Sequence, residues 1–218
     1  MSEGTDNALL ERFEQEIWSK VPHLEEGSET KVVNATPLVD MTADFKECAK
    51  SVFKLDLDNA DLKVFGKMDS TLLTGSIKVR PAANIIHDAI VTGKLKSGQT
   101  VIEATSGNFG IALGLLSKLE LNVIALVSRK LQEGVFEELR NVNIHTMDLD
   151  MDICPAPGME GKQDLLVAKA SAANIRSQLS NFGFDTDIFD KAGSEIESLL
   201  ASQDIINLAK FLAKIYGF

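Results

Sequence analysis

Residues 98–128, GQTVIEATSGNFGIALGLLSKLELNVIALVS, decide the fold. TVIEA and NVIALVS are short runs rich in β-branched and apolar residues, as suits strands buried in a sheet. Between them a corner of small residues, ATSGN, leads into FGIALGLLSKL, which reads as a helix. Strand, tight loop, helix and strand in that order make the βαβ unit of a parallel sheet. NIHTMDLDMDI (143–153) follows as a further strand. There Asp148, Asp150 and Asp152 alternate with Met147, Leu149, Met151 and Ile153, which puts three carboxylates on one face. A solvated acidic face is the expected reading, with a Mg²⁺ or Ca²⁺ site as the alternative.

Upstream, Ala82, Ile85, Ile86, Ala89 and Ile90 share one face, so a helix is expected over 79–93, directly after Lys78, with Gly93 as its stop. LKVFGKM (62–68) reads as a strand and 42–54 as a helix. ATPLVDM (35–41) is extended, because the residue before Pro37 is biased away from helix. HLEEGSETK (23–31) is a polar linker. NALLERFEQEIWSK (7–20) places Leu9, Leu10, Phe13, Ile17 and Trp18 at helical spacing. Downstream, 161–181 and 194–216 read as helices. The second keeps an apolar face almost to Phe218, so a further element is expected to cover it.

The 218 residues are 44% hydrophobic and 25% charged, ordinary values for a globular protein with a sizeable core. The net charge of −10 argues against nucleic acid as a partner, since that needs a basic face. Two cysteines, Cys48 and Cys154, make no disulfide framework and match no zinc spacing, which fits a reducing compartment. No metal site is expected. The first residues are acidic, without the apolar run of a signal peptide, and no stretch reaches about 18 apolar residues. The expected setting is therefore the cytoplasm, without a membrane span.

Two places carry chemistry. Thr105, Ser106, Gly107 and Asn108 lie between a strand and a helix, where open α/β sheets place their ligands. Small side chains and backbone N–H groups at a helix start favour an anion, although a helix cap with a glycine turn explains the same residues. The corner is neither GxGxxG nor a P-loop. Lys78 stands between the Gly75–Ser76 turn and an apolar-faced helix. Desolvated there, its amine would be available for imine formation; a solvated lysine at a helix start is the competing reading.

Taken together, Ala35-Thr36-Pro37-Leu38, then Gly75-Ser76-Ile77-Lys78-Val79-Arg80, then Thr105-Ser106-Gly107-Asn108-Phe109-Gly110-Ile111-Ala112 resemble the N-T-P-L, G-S-x-K-D-R and T-S-G-N-T-G-I-A series of the fold-type II pyridoxal-phosphate enzymes. The similarity, over roughly residues 31–160, is to the cysteine synthase and cystathionine β-synthase group. RPAANII (80–86) is also similar to the branch that makes diaminopropionate precursors. The resemblance implies a tryptophan-synthase-β-like α/β fold with pyridoxal 5′-phosphate as cofactor. It implies an N-terminal arm of the large domain (1–40), a small parallel-sheet domain (41–155) and an incomplete large domain (156–218). Lys78 would form the internal aldimine and then act as base at the substrate Cα. Asn108 would bond the cofactor's ring hydroxyl, and Thr105, Ser106 and Gly107 would hold the carboxylate of a small amino-acid substrate. The implied reaction is β-replacement on an activated serine, through an aminoacrylate, with sulfide or another nucleophile. The alternatives are a diaminopropionate-precursor synthase, a serine/threonine dehydratase-like lyase, or a catalytically incomplete fragment acting as an interaction subunit. A homodimer is expected at full length.

The sequence departs from the family pattern in places. Val79 replaces an Asp, Phe109 replaces a Thr and is expected to crowd the corner, and KMDSTLLTGS (67–76) replaces a more Gly-rich loop. No Gly/Thr-rich phosphate loop follows, and the Ser or Thr that meets the pyridine nitrogen has no counterpart, so the chain is expected to be a piece of a longer product. Arg80 is expected in a structural ion pair. His23, His87 and His145 have no ligand spacing, and His87 is expected half-exposed on the helix after Lys78.

Overall fold

A computed structural model describes residues 4–105, 107–128, 132–149, 171–202 and 205–217. Helix α1 (Asn7–Glu16) starts at Asp6, whose Oδ1 accepts the Leu9 N–H at 3.1 Å. The other oxygen of Asp6 accepts the Ser97 N–H and hydroxyl, at 2.9 and 2.7 Å. One carboxylate thus caps the first helix and ties it to the turn before the sheet. Leu9, Phe13 and Ile17 form the buried stripe of this segment; full burial of a side chain such as Phe13 contributes about 1.5–3 kcal/mol.

Two small antiparallel pairs follow. Strand β1 (His23–Leu24) pairs with β2 (Val32–Val33) across the polar linker, and β3 (Leu38–Asp40) with β4 (Phe65–Lys67). Between the latter lies α2 (Thr42–Phe53), closed by Lys54 in the left-handed region at φ 58. This unit shows Leu38, Phe45, Val52, Phe53 and Phe65 to solvent. Helix α3 (Val79–Val91) buries Val79, Ala82, Ala83, Ile86 and Ile90, and Gly93 ends it at φ +70. A side chain at Gly93 would meet the Gly4 carbonyl oxygen at 2.7 Å.

The sheet is β5 (Thr100–Ala104), β6 and β7, in that order and parallel throughout. From β5 the chain passes through α4 (Asn108–Leu113) and a 3-10 turn over Gly114–Leu119 into β6 (Asn122–Ser128). Helix α5 (Glu133–Asn141) then leads to β7 (His145–Leu149), and α6 (Ala172–Asn181), α7 (Asp187–Lys191), α8 (Gly193–Ser202) and α9 (Ile205–Tyr216) complete the order. Strand β6 is covered on both faces, which is why it reads as an unbroken apolar run. Val123, Ala125 and Val127 join the core built by α1, α3, α4 and α5. Ile124 and Leu126, with Met147 and Leu149 of β7, join the core built by α6 to α9. The result is a three-layer α/β arrangement about a parallel sheet.

The segment 194–216 is not one exposed helix. It lies in α8 and α9, and Leu208, Ala209 and Leu212 are buried against the sheet layer, so its apolar stripe already has a partner. Helix α7 is too short to show a sequence period. Asp150, Asp152, Cys154 and the stretch 161–170 lie outside the described residues, as does Ser106. Cys48 is exposed on α2. No helix among the described residues is long and apolar enough to cross a membrane.

Candidate active site

Lys78 is the residue immediately before α3. Gly75, at φ +64, takes the left-handed turn that the segment needs, and its N–H donates to the Leu72 carbonyl at 2.8 Å. The Lys78 N–H donates to Ser76 Oγ at 3.3 Å. Val79, in the place of a family Asp, is fully buried and roots the first turn of α3 in the core. The Lys78 side chain itself is exposed, and among the described residues its Nζ makes no hydrogen bond or ion pair. Of the two readings of this position, the exposed side chain agrees with the solvated one: its neighbours in sequence divide, Val79 turning inward and Ile77, 55% exposed, outward.

The corner after β5 is built around Thr105, which is 3% exposed. Its N–H donates to the Leu126 carbonyl at 3.0 Å, which continues the sheet. Its Oγ1 accepts the Gly110 N–H at 3.0 Å and the Gly107 N–H at 3.4 Å, so the hydroxyl caps α4. What remains for a ligand is the hydroxyl proton. Gly107 sits at φ +138, and a Cβ there would meet Val135 Cγ1 at 3.0 Å. Asn108, the first residue of α4, is exposed. Phe109 leans on the core of α1, α3 and α4, contrary to the expectation that it crowds the corner. Lys78 and Asn108 head two helices that pack on each other, with Ala82, Ala83 and Ile86 of α3 and Ala112 and Leu113 of α4 in one core, which Leu116 of the following turn joins.

Arg80 enters a network near Lys78 whose partners, Thr36 and Asp69, sequence reasoning did not identify. Asp69 Oδ1 accepts from Arg80 Nη2 at 2.6 Å and from Thr36 Oγ1 at 2.7 Å, and Arg80 Nη2 also donates to Thr36 Oγ1 at 3.0 Å. The Lys67 ammonium donates to the Thr36 carbonyl, and the Met68 N–H to the Pro37 carbonyl at 3.0 Å. The hydrogen bonds from Arg80 and then Thr36 hold the Asp69 carboxyl below the usual carboxylate range. Arg80 thus has the structural ion pair expected of it.

Glu103, on β5 beside the corner, is half-buried, and burial pushes its carboxyl up. It lines a cleft with Ile206, Ala209, Lys210 and Ala213 of α9.

Pyridoxal phosphate needs an amine for its aldehyde, a donor for its ring hydroxyl and an anion cradle. The free amine of Lys78 and the exposed amide of Asn108 fit the first two, and the glycine at 107 leaves room where a side chain would press on Val135. No Gly/Thr-rich loop for the phosphate stands after residue 110 in the sequence.

Residues 33–186 match the family described as pyridoxal-phosphate dependent enzyme. The chain is 40% identical over 86 residues to a cysteine synthase of Aquifex aeolicus, covering 39% of this chain and 24% of that protein. It is 34% identical over 84 residues to N-(2-amino-2-carboxyethyl)-L-glutamate synthase of Ralstonia nicotianae, covering 38% and 25%. Among solved structures, a hydrogen sulfide-producing enzyme of Fusobacterium nucleatum aligns at 32% identity and a TM-score of 0.39, over 40% of this chain and 26% of the other. The chain spans about a quarter of the length of these relatives.

Proposed function

Since the chain belongs to the pyridoxal-phosphate dependent enzyme family, in its fold-type II cysteine synthase group, we propose that it carries out β-replacement on an activated serine with Lys78 as its central amine. One observation carries this reading: the free Nζ of Lys78 stands at the head of α3, and α3 packs on α4, whose head presents Gly107 and Asn108. The bound cofactor supplies the electron sink for charge developing at the substrate Cα. Lys78 would hold the cofactor through its amine, and its Nζ is the base for the substrate Cα proton. The Asn108 amide would donate to the ring hydroxyl. Ser106, the Gly107 backbone and the hydroxyl proton of Thr105 hold the substrate carboxylate, helped by the positive end of α4. The full-length protein works as a homodimer on a small amino acid.

The likeness to N-(2-amino-2-carboxyethyl)-L-glutamate synthase supports a second reading, in which an amine replaces sulfide as the incoming nucleophile. The test begins with the purified chain and pyridoxal phosphate. A visible absorption band is expected in the wild type and not in Lys78→Ala, and borohydride reduction should fix the cofactor on the Lys78 peptide. Fixation on other lysines only, or none, overturns the reading. Offering an O-activated serine with sulfide or with an amine, and weighing the product, separates the two nucleophiles.

A further inference from the structure

We propose that Asp69 is the positioning residue for Lys78: its carboxylate, gripped by Arg80 and Thr36, closes the turn that presents the lysine and fixes where the amine stands. The proposal rests on the reading of Lys78 given above.

The lysine has no side-chain partner of its own among the described residues, so its place is set by the backbone that carries it. That backbone is a loop between Asp69 and Arg80, closed at its base by their 2.6 Å contact. Arg80 is two residues beyond Lys78, in the first turn of α3, so fixing the guanidinium fixes the direction in which the helix head points. Inside the loop the order is local: the Leu72–Gly75 turn, the Ser76 contact to the Lys78 N–H, and the buried anchors Leu72 and Val79. None of these reaches outside the segment except through packing. Asp69 does, because the same oxygen that takes Arg80 also takes the Thr36 hydroxyl, and Thr36 is itself buried and held by Lys67. The carboxylate therefore joins the arm, the β4 exit and the start of α3 at one point. Arg80 Nη2, committed to Asp69 and Thr36, is directed into this joint. A charge-assisted pair of this geometry, with side chains only 25% and 19% exposed, holds position better than the open surface pairs of the molecule.

The test compares Asp69→Asn, Asp69→Glu and Leu200→Ala, the last a core change in α8 on the far side of the sheet. Two readouts are taken: pyridoxal phosphate fixed on Lys78 by borohydride across a concentration series, and amide hydrogen exchange of residues 72–80. Asp69→Asn is expected to weaken capture at Lys78 by about tenfold or more, as misplacement of a reacting group does. It should also speed exchange in 72–80. Asp69→Glu should restore part of both, and Leu200→Ala should lower the melting temperature while changing neither. Thr36→Val, which removes one donor and keeps the ion pair, should give an intermediate loss and serves if Asp69→Asn does not fold. Wild-type capture in Asp69→Asn, or an equal loss in Leu200→Ala, overturns this proposal alone. No capture at Lys78 in the wild type overturns the reading of Lys78, and this proposal with it.

Discussion

The indole of Trp18 lies face to face with the imidazole of His87, ring centroids 4.4 Å apart and planes 9° from parallel. His23 stacks on the same indole at 4.3 Å. Burial lowers the basicity of His87, with His23 adding to the effect and Glu14 and Asp88 opposing it. A depressed imidazole contributes stability that is complete above the ordinary histidine value and is lost as pH falls through its own lower value. Trp18 is the single tryptophan, so its emission reports this site directly. On acidification the emission is expected to fall as imidazolium forms beside it, with a component centred below about 6.5. His87→Gln should remove that component and flatten the acid loss of melting temperature; its persistence would show that His87 is not the source.

Glu103 carries the opposite sign. Burial raises its carboxyl, so the neutral form is the one the fold prefers. The stability it lends is complete below the ordinary glutamate value and is lost as pH rises through the raised one. Glu103→Gln is therefore expected to raise the melting temperature at neutral pH and to make no difference in acid, measured as a melting series against pH.

Thr105 accepts two amides of the α4 head through one buried hydroxyl. Thr105→Val keeps the shape and orphans those donors, which costs about 1–3 kcal/mol. Thr105→Ser keeps the acceptor and should cost less. Denaturant unfolding of the pair measures the cap separately from any contact to a substrate.

Gly110 and Gly134 make a matched comparison within helices. A Cβ at Gly110 would stand 2.6 Å from Thr105 Cγ2 and 3.0 Å from Leu139 Cδ2, whereas one at Gly134 meets nothing within 4 Å. Gly110→Ala is expected to destabilise by about 1–3 kcal/mol through overpacking. Gly134→Ala should stabilise by up to about 1 kcal/mol through helix propensity. Chemical denaturation decides both.

The parallel sheet was legible because β6 is buried on both faces, which leaves an uninterrupted apolar run, and α3 because its stripe repeats at helical spacing. Lys78 and the 105–108 corner were legible as motifs. The joint of Thr36, Asp69 and Arg80 was not, since hydrogen bonds between residues 11 to 44 positions apart leave no local period. Nor could the sequence show which way a hydroxyl or ring turns. Thr105 caps a helix with its oxygen, set by the Gly110 N–H of α4, and Phe109 packs on the core, and neither direction is written in the local pattern.

The carboxylate of Asp6 has a consequence for synthesis on the ribosome. Its partner Ser97 is 91 residues further on. At about 5–20 residues per second, the first helix waits roughly 5–20 s after emerging before the turn that fastens it has been made. During that interval Leu9, Phe13 and Ile17 have no sheet layer to cover them. This segment is thus made well before its fastening turn and docked late, and its apolar stripe stays open to a chaperone on the nascent chain for that interval.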